Sequence, residues 1–290
     1  MCAAISRSKE LTKIPVRWAD GAAELGLKKT EDSTALSHLF QSDPCRILFP
    51  RPARNGPFEG VFVTTSGGLV GGDRLRFNVK AAANTQACVT SQAAEKIYRS
   101  VGQTTEISIS LDIEAGATLE WMPQETILFD GARIRRHNRI DAESGSKLLT
   151  GEIIVFGRTA FGERVLTGHL YDSWRVYRNG SLVWADALHM DGALDATLSN
   201  PYTFDGAVAC ATLLFCADDA ADILEGARTL LTQNQTEDVR TAATCVGPTL
   251  IMRFLSSDTA ALRQSYAAFW SLFRNQNFNF PAVLPRVWES

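Results

Sequence analysis

The stretch Thr105-Glu-Ile-Ser-Ile-Ser-Leu-Asp-Ile113, followed by Glu114-Ala115-Gly116, carries the clearest structural signal in the chain. Ile107, Ile109, Leu111 and Ile113 alternate with Glu106, Ser108, Ser110 and Asp112. A period of two puts the apolar set on one face of a β-strand and the polar set on the other. Glu114-Ala115-Gly116 then turns the chain, and Leu119 and Trp121 resume the alternation on the next strand. Upstream, Leu75, Phe77 and Val79 alternate with Arg74, Arg76, Asn78 and Lys80. Downstream, the run from Arg175 to Trp184 carries Asn179-Gly180 between two strand-like arms. Both residues tolerate positive φ, so a two-residue hairpin turn fits there. From Cys45 to about Val208 this alternation dominates, and it predicts strands with one buried face.

Two helices are predicted, both toward the C-terminus. Asp218 to Gln233 places Ile223, Leu224, Ala227, Leu230 and Leu231 on one stripe, with Asp218 or Asp219 as the start signal. Ser257 or Asp258 caps a second helix through about Phe273, where Leu262, Tyr266, Phe269, Trp270 and Phe273 recur at three- and four-residue steps. No repeat, low-complexity tract or linker interrupts the chain. The reading is mostly β: one large β-rich domain of stacked sheets over residues 1–290, with about two helices late in the chain. The first dozen residues are expected to be disordered.

A single domain of 290 residues buries roughly 75% of the surface its unfolded chain exposes, so it needs no covalent staples. The net charge of −3 argues against a broad nucleic-acid footprint. Cys2, Cys45, Cys88, Cys210, Cys216 and Cys245 include no CxxC pair, so they read as mostly buried small hydrophobes. The polar N-terminus MCAAISRSKELTK lacks the apolar run of a secretory signal. No stretch approaches the ~18 apolar residues of a membrane span. A reducing cytoplasm is the simplest compartment.

The glycine cluster Ser66-Gly-Gly-Leu-Val-Gly-Gly-Asp73 invites a phosphate-loop reading, which requires a helix after the glycines or a Lys-Ser/Thr pair. Arg74 to Val79 alternate as a strand instead, so backbone freedom is the simpler use of the glycines. His38, His137, His169 and His189 are scattered and form no HxH or HExxH pattern. No G-x-S-x-G elbow is present. Catalysis therefore has no positive support. What stands out is a set of charged residues in apolar or glycine-rich surroundings: Asp73, Lys96, Glu152, Glu163 and Asp186. A carboxylate in such company is costly unless it pairs, accepts hydrogen bonds or lines water. The structural alternative is local pairing, Glu152 with Arg158 or Asp73 with Arg74.

Five ordered blocks carry a family resemblance. TSGGLVGGDRL at 65–75, TSQAAEKIYRS at 90–100, LEWMPQETILF at 119–129, GEIIVFGRTAFGE at 151–163 and LPRVW at 284–288 resemble the urease accessory proteins of the UreD type, called UreH in some systems. The resemblance runs from about residue 60 to the end and is less distinctive between about Leu188 and Ala282. It implies a mostly β fold with a few helices and a role without catalysis. It also implies binding to UreF, which recruits the GTPase UreG, in a dimer of UreD–UreF heterodimers acting on urease apoprotein.

The family's internal water-filled tunnel, the proposed nickel route, falls by its pattern on Asp73, Lys96, Glu152 and Asp186, with Glu163 added. Nickel(II) in transit, with no tightly bound cofactor, suits a few weak oxygen contacts, because a histidine or thiolate cage would trap it. Spaced carboxylates ease a dication through, as acidic rings do in cation pores. Lys96 is expected to hold a carboxylate in place by ion pairing. Phe278, Phe280, Leu284, Val287 and Trp288 are read either as partner anchors, UreF first among them, or as a tail covering the protein's own sheet. A competing reading is a β-sandwich carbohydrate-active enzyme or binding module, with Asp73 and Glu152 as an acid/base pair ~5–9.5 Å apart across an open cleft. A nickel-storage protein would want a His-rich tract or thiolate cluster, which this chain lacks.

Overall fold

The alternating segments sort into two sheets that the chain visits by turns. The computed structural model describes residues 18–158 and 162–289; the expected N-terminal disorder lies outside them. The first sheet holds β1 (Asp20–Lys29), β2 (Thr34–Ser42), β5 (Arg74–Ala81), β8 (Thr105–Ile113), β11 (Arg133–Ala142), β13 (Thr167–Arg178) and β14 (Ser181–Ala193). Their spatial order is β14-β13-β11-β8-β5-β1-β2. The second holds β3 (Cys45–Leu48), β4 (Phe58–Thr64), β6 (Gln86–Ser91), β9 (Thr118–Met122), β12 (Lys147–Phe156), β15 (Ala209–Cys216), β16 (Val239–Val246) and β17 (Thr249–Ser256). These run β16-β17-β15-β12-β9-β6-β4-β3, with the short β7 (Glu95–Ile97) and β10 (Thr126–Leu128) alongside.

From β4 to β13 the long strands alternate between sheets, and within each sheet the successive arrivals pair in parallel. Both faces of a central strand such as β12 are then covered, which is why Ile153 to Phe156 read as an unbroken apolar run. At one end the crossings are four-residue turns, 82–85, 114–117 and 143–146. Each closes with a hydrogen bond from its fourth N–H to its first carbonyl: Thr85 to Ala82, Ala117 to Glu114 and Ser146 to Glu143, at 3.1–3.2 Å. The third residue takes positive φ in every case: Asn84 at 60°, Gly116 at 72° and Gly145 at 77°. Glycine and asparagine are the residues that accept that conformation readily. The expected turn at Glu114-Ala115-Gly116 therefore joins strands of different sheets, while Asn179-Gly180 makes the expected two-residue hairpin between β13 and β14.

Two helices close the outer face of the second sheet. α2 (Ala220–Gln233) begins just after Asp219, as its stripe predicts, but Asp219 makes no side-chain cap bond and pairs with Lys147 at 3.0 Å instead. α3 (Thr259–Phe278) is capped by Asp258, whose carboxylate accepts from Ala260 N and Ala261 N, and it runs one turn past the expected Phe273. A six-residue helix, α1 (Leu194–Ser199), was not evident in the sequence. One core lies between the sheets and a second lies between the second sheet, α2 and α3. Each core-forming Leu or Phe side chain contributes about 1.5–3 kcal/mol by leaving water.

The C-terminal aromatic segment belongs to that second core. Phe278, Phe280 and Trp288 are buried, and Leu284 packs against them. Trp288 lies near-parallel to Tyr266, meets Trp270 edge-on and donates its indole N–H to Thr90 Oγ1 at 2.9 Å. Of the two readings left open for Phe278, Phe280, Leu284 and Trp288, the structure shows the covering tail rather than exposed anchors.

Candidate functional site

Opposite the four-residue turns, the crossings are longer: 65–73, 92–104, 123–132 and 157–166. The first four family-like blocks bring their chains together at this end of the stack. Leu69 N donates to Lys96 O at 2.7 Å and Tyr98 N to Leu69 O at 2.8 Å. Glu95 N reaches Glu125 O, Phe129 N reaches Ile97 O and Gly157 N reaches Leu128 O, at 2.7–3.0 Å. The glycines serve this close approach: a Cβ on Gly71 would stand 2.1 Å from Ser100 Oγ. The residues after them, Arg74–Ala81, form β5, so the phosphate-loop geometry is absent here.

Inside this end the facing strands change character. On β11 the inward phase runs Ile134, Arg136, Asn138, Ile140, and on β13 it runs Leu170, Asp172, Trp174, Val176. Arg136 is the hub. Its guanidinium donates to Asp172 of the same sheet, with Nε to Oδ2 at 2.9 Å, to Thr126 Oγ1 at 2.9 Å and to Glu152 of the opposite sheet. Asn138 donates to Asp172 Oδ1 at 2.8 Å, and Trp174 Nε1 to Glu152 Oε1 at 3.2 Å. Arg136, Glu152 and Asp172 are all buried. Burial pushes the Asp172 carboxyl upward, opposed by the charge and hydrogen bonds of Arg136. Such a cluster persists only because its members satisfy one another; removing one leaves an uncompensated buried charge.

Two cavities meet at this cluster. The first, about 210 Å³, lies under the loops and is lined by Glu95, Lys96, Trp121, Gln124, Thr126 and Arg136, among others. The second, about 370 Å³, is lined by Glu152, Asp172, Trp174, Asp186, Cys210 and Arg253 with apolar neighbours. Arg136 thus forms wall of the first cavity while both its carboxylate partners form wall of the second. Burial drives the Glu95 carboxyl up to about 7, with nearby Asp73 adding to the rise and bonds from Thr64 and the Lys96 N–H opposing it. Burial also lifts the Cys210 thiol to about 12, so it stays protonated and is a poor metal ligand.

The structure brings some of the candidate residues together and separates others. Glu152 and Asp186 share the second cavity and Lys96 lines the first. Asp186 pairs with Arg253 across the seam between the sheets. Lys96, expected to hold a carboxylate, forms no ion pair among the described residues; its contribution to the architecture is the backbone bond to Leu69. Asp73 is buried, but its two oxygens accept from Ala19 N and Val70 N at 2.8 Å, which makes it a clamp on the loop. Glu163 pairs with Arg158 at 2.8 Å, and that bond holds its carboxyl below the usual range. The alternative pairings are therefore also corrected: Glu152 takes Arg136, not Arg158, and Arg74 lies 3.5 Å from Glu106, not on Asp73. Asp73 and Glu152, one bound to backbone amides and the other to a guanidinium, do not form the acid/base couple a glycosidase requires.

Arg136, Asp172, Arg253 and Glu95 escaped the sequence reading. For Arg136 and Asp172 a signal existed: each falls in phase with the apolar residues of its own strand. The histidines are less scattered than their spacing suggests. On the outer face of the first sheet His137 and His189 flank Tyr171 and His169 meets His189, with ring centroids 5.6–5.7 Å apart. Among the described residues no three metal-ligating side chains come close enough to hold an ion.

The two-sheet stack, its helical brace and this polar seam define a β scaffold built around an internal ion-pair cluster. Comparison with known proteins gives the family. Residues 19–289 match the model of the UreD urease accessory protein family. The urease accessory protein UreD of Magnetococcus marinus is 44% identical over 277 residues, covering 95% of this chain and 96% of the relative. That of Azorhizobium caulinodans is 40% identical over 271 residues, covering 93% and 96%. That of Xanthobacter autotrophicus is 41% identical over 258 residues, covering 89% and 85%. The chain belongs to the UreD family of urease accessory proteins, and its relatives are accessory proteins rather than enzymes.

Proposed function

We propose that the chain is a maturation scaffold for urease that takes nickel(II) at its loop end and passes it between the sheets. The observation that carries this reading is the meeting of two cavities at one buried carboxylate–guanidinium cluster. Their walls offer Glu95 on one side and Glu152, Asp172 and Asp186 on the other. Separate carboxylates with weak, replaceable contacts suit a hard-to-borderline dication in transit. A metal destined to leave needs stations rather than a closed cage. The partners in this reading are UreF, the GTPase UreG recruited through it, and urease apoprotein, assembled on a dimer of UreD–UreF heterodimers. The cytoplasm is the compartment proposed, in keeping with the free thiols of Cys45, Cys88, Cys210, Cys216 and Cys245. Among the described residues no helix is long and apolar enough to cross a membrane.

Glu152→Gln tests the route. It removes one charge and keeps a single acceptor oxygen, enough for Arg136 or for Trp174. Reconstituted urease activation is expected to fall on the order of tenfold, the change that about 1.4 kcal/mol on a barrier produces. Co-elution with UreF on size exclusion should be unchanged. Wild-type activation by this variant would place the metal route elsewhere.

A further inference from the structure

We propose that Arg136 is a displaceable gate: its guanidinium occupies the cation position between Glu152 and Asp172, and a divalent metal ion crosses by taking its place. This inference rests on the reading that the inter-sheet cavities carry nickel, and it names how that passage is held shut.

The geometry carries it in three parts. Arg136 bridges a carboxylate from each sheet, Glu152 on β12 and Asp172 on β13, so one side chain spans the seam. Its own side chain lines the first cavity, whereas both carboxylates line the second. A cation moving from one cavity to the other meets this ion pair as the boundary. Thr126 and Asn138 hold the two ends of the cluster in register, through Arg136 and Asp172 respectively.

The chemistry follows from the charges. A guanidinium stays protonated at any physiological pH, so it neutralises the buried carboxylates continuously and spares the fold an unpaired charge. A dication offers the same two oxygens a more compact partner with twice the charge. The exchange keeps the carboxylates compensated throughout. The released guanidinium has somewhere to go: Arg136 already lines the first cavity, and Glu95 lines it too. Because Arg136 competes for the oxygens, the metal station is shallow, as delivery requires. A guanidinium competing for a metal's ligands scales the metal's affinity by the fraction of time those ligands are free.

The test uses the full chain in complex with UreF and Ni²⁺ as the probe, with affinity read by equilibrium dialysis. Arg136→Met removes the competitor, and Ni²⁺ should bind on the order of tenfold tighter or more. The triple variant Arg136→Met, Glu152→Gln, Asp172→Asn should lose that gain. Arg136→Lys keeps a buried positive charge but loses the Nε bond to Asp172 and the Nη1 bond to Thr126, so it competes less firmly and its affinity should fall between wild type and Arg136→Met. It reads the same quantity if the methionine variant does not fold. Wild-type affinity in both single variants overturns the gate, and so does a gain that persists in the triple variant. Urease activation by Glu152→Gln separates the two claims. Lost activation with no gain in affinity at Arg136 leaves the passage standing and removes the gate. Tighter Ni²⁺ binding at Arg136→Met with undiminished activation by Glu152→Gln keeps the exchange and removes the passage.

Discussion

At one end of the sheet stack, three four-residue turns lie on one another and the core beneath them is Ile113, Leu119, Ala142 and Leu148. At the other end, four longer loops interlock, β11 and β12 present Arg136, Asn138 and Glu152, and their neighbours β10 and β13 add Thr126 and Asp172. A single strand therefore serves both regimes. β11 buries Ile140 and Ala142 near the turns and Arg136 near the loops. The turn end rests on an apolar core, with its ion pairs, Lys147–Asp219 and Arg178–Asp218, set beside the turns. The loop end holds its charges through mutual satisfaction, and the cavities lie there. Functional regions are drawn from the less stable parts of a fold, and on the proposed reading this molecule divides the two tasks along the strand direction.

The largest effect is expected at the turn end. Leu148→Ala, at a fully buried inter-sheet position, should cost about 2–5 kcal/mol in denaturant unfolding. Urease activation per folded molecule should stay at the wild-type level. A fall in activation beyond the loss of folded protein would break the division between the two ends.

Asp73→Ala comes next. It strips two backbone N–H groups of their acceptor and should cost about 1–3 kcal/mol. Hydrogen exchange should speed up in residues 65–73 while the turns at 114–117 and 143–146 keep their protection. If the loop stays protected and activation collapses, Asp73 belongs to the metal route after all.

The smallest effect is expected in the pH dependence. The Glu95 carboxyl titrates near 7 in the folded chain against an ordinary value near 4.5, so the folded state keeps a proton that the unfolded state sheds between them. The stability linked to that proton is present below about 4.5 and is lost as pH rises through about 7. Glu95→Gln should therefore weaken the decline in denaturation midpoint between pH 5.5 and pH 8, with the gain on the alkaline side. An unaltered slope would show that Glu95 is not the titrating group.

Alternation exposed the strands of the stack wherever one face is apolar and the other polar, as at Thr105–Ile113. Apolar residues at three- and four-residue steps marked the two long helices, and Asn179-Gly180 marked the hairpin. β1 and β2 were illegible for opposite reasons. β1 packs small residues, Gly21, Ala22, Ala23 and Gly26, which give little contrast between faces, and β2 is exposed along most of its length. Which strands pair could not be read, because parallel neighbours come from chain segments far apart. At the site, glycine-flanked acids drew notice while the hub did not. Arg136 stands in Arg-Ile-Arg-Arg-His-Asn-Arg, where three other arginines surround it and only its phase with Ile134 and Ile140 marks it as inward. The clamp at Asp73 depends on Ala19, fifty-four residues upstream, and no local pattern announces such a bond.

The alternation of the chain between sheets has a consequence for assembly. Leu75 on β5 lies beside Ile107 on β8, and Ile107 beside Arg136 on β11, each neighbour roughly thirty residues further along. No strand of the central stack can pair with the one made just before it, so ordering one layer waits for a full circuit of the chain. Long-range parallel pairing of this kind folds slowly and leaves strand edges unpaired meanwhile. A nascent chain in that state is an aggregation hazard until its last helix, α3, has been made and seated against the second sheet.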